Sequence, residues 1–143
     1  MRLHPYLISF TMYSMISFSQ DKPYQQHAID ADLEQCHAVL ENQTTAGMIE
    51  CEYTARIAWD KEMNKYYKLL MEVLKPVEKK QLRDSQRTWL EYRDNEMNFA
   101  ATFYKNMDGT AWLVIHAGRL TAIVKQRALE MENYYEMATF DPD

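Results

Sequence analysis

Three glycines and four prolines spread over 143 residues leave the chain few places to turn tightly or to break a regular element. This scarcity excludes a collagen-like fibre, a low-complexity disordered segment and a glycine-rich enzyme that cradles phosphate. It also disfavours many short strands, which need turn formers at close intervals. Basic residues are outnumbered, 16 Lys and Arg against 21 Asp and Glu, for a net charge of −5. A chain of that sign does not hold nucleic acid or anionic lipid through bulk electrostatics, and a basic partner suits it better. What is abundant is bulk: 47% hydrophobic residues, with ten Met and ten Tyr. Bulky residues with few breakers favour long helices, and the length allows one core. An all-α domain is expected.

The amino terminus reads as a secretory signal. Arg2 supplies a positive start, residues 6–16 are uncharged, and Ser17-Phe18-Ser19 places small residues around a large one, so cleavage is expected after Ser19. The run falls short of the roughly 20 residues that span a bilayer, and no membrane span is expected once the leader is removed. The expected organisation is a signal peptide at 1–19, a linker at 20–27, a helical domain at 28–137 and a flexible tail at 138–143, in the periplasm or outside the cell. Losing Arg2 and no acid would take the charge to −6. In an oxidising space the two cysteines, Cys36 and Cys51, are expected to bond, which stabilises by about 3 kcal/mol in the chain-entropy model. His27, His37 and His116 are too scattered to join them at ligand spacing, so neither a metal site nor a cofactor is expected.

Periodicity predicts about four helices packed as an antiparallel bundle. The first, about 28–42, aligns Ile29, Leu33, Cys36 and Leu40. The second, about 45–74 and capped by Thr44 or Thr45, aligns Met48, Cys51, Ala55, Trp59, Met63, Tyr67, Leu70 and Leu74. Pro76 ends it and opens the third, about 77–106, whose inner face carries Leu82, Gln86, Trp89, Leu90, Arg93, Met97, Ala100 and Tyr104. Gly109 supplies a turn, and Thr110 is placed to cap the fourth helix, which runs to about 136 with Leu113, His116, Leu120, Ile123, Val124, Arg127, Met131 and Tyr134 inward.

Polar residues interrupt these stripes. Asp60 and Asn64 lie beside Trp59 and Met63, Gln86 and Arg93 flank Trp89, and Arg127 sits among Ile123, Val124 and Met131. A buried arginine needs an acceptor, so Asp60 is expected to pair with Arg93 or Arg127. The set reads as a satisfied network that fixes helix register. A catalytic reading has one inward carboxylate and no nucleophile with a base, and therefore ranks below a binding role. His116 reads as a core or boundary histidine. Glu50, Glu52, Glu62 and Glu72 read as a solvated face.

The segment Cys36–Thr44-Thr45–Cys51, then Asp60-Lys61-Glu62-Met63-Asn64 with Tyr67, then Gln86-Arg87-Thr88-Trp89-Leu90-Glu91-Tyr92-Arg93-Asp94 resembles the LprI-type lysozyme inhibitor family from about Cys36 to Arg127. Members often carry two further cysteines where this chain has Met97 and residues near Gly118-Arg119. Their joint absence supports pairing of Cys36 with Cys51. The resemblance implies a secreted, non-catalytic helical protein whose partner is a basic lysozyme. It makes Asp60, Asn64, Tyr67, Gln86, Trp89, Tyr92, Arg93 and Arg127 a structural signature and leaves the inhibitory epitope unassigned. The alternative is an immunity or scaffolding protein for another cell-wall enzyme or envelope protein.

Overall fold

The structure, a computed structural model, describes residues 26–141. The expected leader at 1–19 lies outside the described residues. Four helices follow in order: α1 (Ala28–Ala38), α2 (Thr45–Val73), α3 (Pro76–Lys105) and α4 (Ala111–Thr139), with a 3-10 turn at Leu40–Asn42 between α1 and α2. The fold is a helical bundle, as the sequence predicts. Successive helices run antiparallel, so α2 and α4 run parallel. The Thr121 hydroxyl donates to the Glu52 carbonyl at 2.9 Å, and further along the Tyr66 hydroxyl donates to Glu132 at 2.7 Å.

Local chemistry sets most of the ends. The Thr44 hydroxyl accepts from the Gly47 N–H at 3.1 Å, as expected of an N-cap. Gly47 is also sterically required, since a Cβ there would stand 2.6 Å from the Asn42 backbone. α1 stops at Ala38, short of the predicted 42, and the 3-10 turn carries the chain over to α2. Pro76 occupies the first turn of α3, where its missing N–H costs nothing, and the Lys75 N–H donates to the Glu78 carboxylate at 2.8 Å. Gly109 adopts φ +96°, the left-handed region that favours glycine. Thr110 does not cap α4 through its hydroxyl. Its backbone is already helical (φ −81°, ψ −17°), whereas a capping side chain needs an extended backbone.

The core lies between α2 and α4. Trp59, Met63 and Leu70 pack against Val124, Ala128 and Met131, and Ile29, Leu82, Trp89 and Tyr135 close over them. Each large side chain buried in this way contributes about 1.5–3 kcal/mol. Tyr135 takes the position expected of Tyr134, which is exposed: from Arg127 and Met131 the inward stripe advances by four residues. Leu113 is likewise exposed, at the start of α4. α1 is fastened to this pair at three points. Cys36 and Cys51 form the expected disulfide, Lys125 Nζ bonds both Asp30 oxygens at 2.7 Å, and the His27 ring lies 4.3 Å from that of Trp59. α3 packs along α4 and stands away from α2, where a cleft opens between them.

Candidate functional site

All the signature residues but Tyr92 gather at two places, with Gln86 common to both. The first is a polar clamp between α3 and α4. Arg127 is only 6% exposed, and its guanidinium donates to Gln86 Oε1 at 3.0 Å, to Ser85 Oγ at 3.2 Å and to the Glu130 carboxylate. It lies 5.9 Å from the Trp89 ring, and Arg93 lies 5.5 Å from the same ring. Gln86 also turns its amide towards the Met63 sulfur at 3.5 Å, so one side chain touches both neighbouring helices. Gln86, Trp89 and Arg127 thus form one structural unit.

The expected ion pair from Asp60 to Arg93 or Arg127 is absent. Asp60 accepts from the Asn64 amide at 3.0 Å, one turn along its own helix, and that amide also bonds the Asp60 carbonyl at 2.7 Å. Arg93 bonds the adjacent Asp94 at 2.7 and 2.9 Å. The reason is positional. Glu130 stands one turn from Arg127 with its side chain 46% exposed, so it supplies the counter-charge while staying hydrated. Pairing with Asp60 would require burial of two charges, a costlier arrangement.

The second place is the α2–α3 cleft. A cavity of about 690 Å³ is lined from α2 by Asp60, Asn64 and Tyr67 and from α3 by Gln86 and Arg93, all of them signature residues. Arg83, Asp84 and Arg87 complete the α3 wall, with Met63 and Leu90 below. Sequence reasoning missed Arg83 and Arg87, although their spacing with Leu90 places all three on one side of α3. The Lys80 ammonium and, less strongly, the Arg87 guanidinium hold the Asp84 carboxyl below the usual carboxylate range. Tyr92 is half exposed, on a separate surface with Trp89, Arg119 and Arg127. Asp60 and Arg93 therefore share the walls of this cleft without pairing, while Arg127 lies in the clamp, so the three do not meet at one point.

Another cavity, about 410 Å³, opens between α2 and α4 and is walled by Ile49, Tyr53, Leu113 and Leu120. His116 lines it, its ring 5.5 Å from that of Tyr104 and tilted against it by 31°. Burial, reinforced by the charge of Arg56, lowers its pKa below the ordinary histidine value. This agrees with a boundary histidine. Glu52 departs from the solvated face expected of it. Its side chain is 12% exposed, its carboxylate sits 3.9 Å from His37 Nε2, and it fills the space above Gly118. Among the described residues no group of His, Cys, Asp and Glu is arranged to hold a metal ion, and no helix is long and apolar enough to cross a membrane.

Comparison with known proteins agrees with this architecture. The crystal structure of an uncharacterized protein from Burkholderia thailandensis superposes with a TM-score of 0.78 at 26% identity over 82% of this chain. The chain spans 58% of that protein's length, less than two thirds. No protein of curated function matches. The family model "Lysozyme inhibitor LprI" matches residues 36–131, from the first cysteine of the disulfide to the last buried methionine of α4. A match over most of the chain, on a helical bundle that carries the expected disulfide, leads to one conclusion: the chain belongs to the LprI lysozyme inhibitor family.

Proposed function

We propose that this protein is a periplasmic or secreted, non-catalytic binding protein that inhibits a lysozyme. The observation that carries this reading is the family match over residues 36–131. The Cys36–Cys51 bond supports an extracytoplasmic location, since such bonds persist in oxidising compartments. Charge supports the partner: at −5 the chain is steered towards a basic enzyme, and lysozymes of the animal type are basic. Electrostatic steering acts mainly on the rate of encounter and weakens as salt shortens the Debye length.

The test is a cell-wall lysis assay in which a basic lysozyme is titrated with the purified protein at low and at high salt. Inhibition at about micromolar protein is expected at low salt, with an affinity that falls as salt rises. Undiminished lysis at low salt would remove lysozyme as the partner. A pull-down that returns a different cell-wall enzyme would favour the immunity or scaffolding role.

A further inference from the structure

The net acidity conceals an uneven distribution of charge. Residues 61–93, the second half of α2 and somewhat more than the first half of α3, carry nine Lys and Arg against five Asp and Glu. The rest of the chain carries seven against sixteen. Part of that cationic surplus gathers on the walls of the α2–α3 cleft. The 690 Å³ cavity shares Asp60 and Arg93 with a neighbouring one of about 430 Å³, so the two form a single trough. Arg56 and Lys61 stand on the α2 wall and Arg83, Arg87 and Arg93 on the α3 wall; among the described residues the acids that line the trough are Asp60 and Asp84. Met63, Leu90, Met97 and Val124 supply an apolar floor.

We propose that this trough is a docking site for an acidic, partly apolar peptide segment of a protein partner. A guanidinium presents a planar fork of donors that matches a carboxylate, and the three arginines of the α3 wall offer three such forks. The present partner of Arg87 is held loosely: with a side chain 73% exposed, Arg87 meets Asp84 at 3.3 Å, an exposed pair that an incoming carboxylate can displace. Arg93 is held more firmly, through Nε and Nη2 to Asp94 at 2.9 and 2.7 Å, which leaves its third nitrogen for a ligand. From Arg56 to Tyr67 the α2 wall runs about 17 Å at ~1.5 Å per residue, room for about five residues of extended peptide. Alternate side chains of such a segment would point to the floor and to the rim. A cationic trough does not favour a basic lysozyme, so this proposal does not rest on that reading.

A fluorescein-labelled peptide alternating glutamate and leucine, titrated with the purified chain and followed by anisotropy, tests the site. Saturable binding is expected, weakened at least about tenfold in the Arg83→Glu/Arg87→Glu double variant. Because both arginines are exposed, that variant keeps the fold, which circular dichroism checks. It should in turn bind the matching lysine–leucine peptide, which the unaltered chain should refuse. No saturable binding below about 1 mM, equal binding of both peptides, or binding indifferent to charge reversal would each overturn the proposal. A concentration-dependent doubling of mass that charge reversal abolishes would assign the trough to a second copy of the chain, and would overturn it as well.

Discussion

Helices α2 and α3 are almost equal in length, 29 and 30 residues, and join the fold in different ways. α2 buries Cys51, Ala55, Trp59, Met63 and Leu70 against α1 and α4, whereas the buried residue of α3 is Ala100 alone. What secures α3 is a set of separate fastenings. Arg127 engages Gln86, Ser85 and Trp89, Arg119 bonds Glu96 at 2.8 Å, and Tyr104 packs between Trp112 and His116. Continuous apolar burial makes the α2–α4 pair the rigid part of the molecule, because it removes the most surface from water. Point attachment leaves α3 free to stand off from α2, and the cleft exists because of that.

The largest expected effect lies in the rigid pair. Met131→Ala empties a site that is 0% exposed and should lower the unfolding free energy by about 2–5 kcal/mol in urea. Replacing Cys36 and Cys51 by serine should cost about 3 kcal/mol by releasing the loop between α1 and α2 in the unfolded state. Arg127→Ala removes the central fastening of α3 and leaves Gln86 without its partner; about 2 kcal/mol is expected, since Glu130 can rehydrate. His116 contributes through pH. Its folded pKa lies below the ordinary value of 6.5, so the unfolded chain binds more protons as pH falls through that value. Stability should therefore be complete above about pH 6.5 and decline towards pH 5, and His116→Leu should flatten part of that decline, read from urea midpoints at the two pH values. The smallest effect is expected at Val77, 70% exposed on α3, where alanine should change stability by less than about 0.5 kcal/mol. A cost at Val77 near that at Met131 would break the distinction between the two helices.

Sequence periodicity made most of α2 legible, because its stripe is covered on two sides; the exception is Tyr67, which lines the cleft while Tyr66 packs against the core in its place. For α3 the same method named the inward face and could not report how closely a partner approaches it. Gln86, Trp89, Leu90, Arg93 and Met97 do share that face, yet none is fully buried. Asp60 was misassigned for a related reason. The need of Arg127 for an acceptor is legible in its apolar stripe, but Glu130, one turn away on a partly exposed side of the same helix, reads in sequence as an ordinary solvated charge. The disulfide was legible because only two cysteines can pair. The cleft was not, since its walls come from residues that each look like ordinary solvated charges until two helices are placed side by side.

Native-state hydrogen exchange, read helix by helix, tests the division between a continuously packed pair and a point-held helix most directly. The account predicts that amides of α3 between about residues 80 and 95 exchange through openings of clearly lower free energy than those of α2 around Trp59–Leu70 and of α4 around Ile123–Met131. Equal protection across the three helices, with all of them opening only in global unfolding, would contradict it.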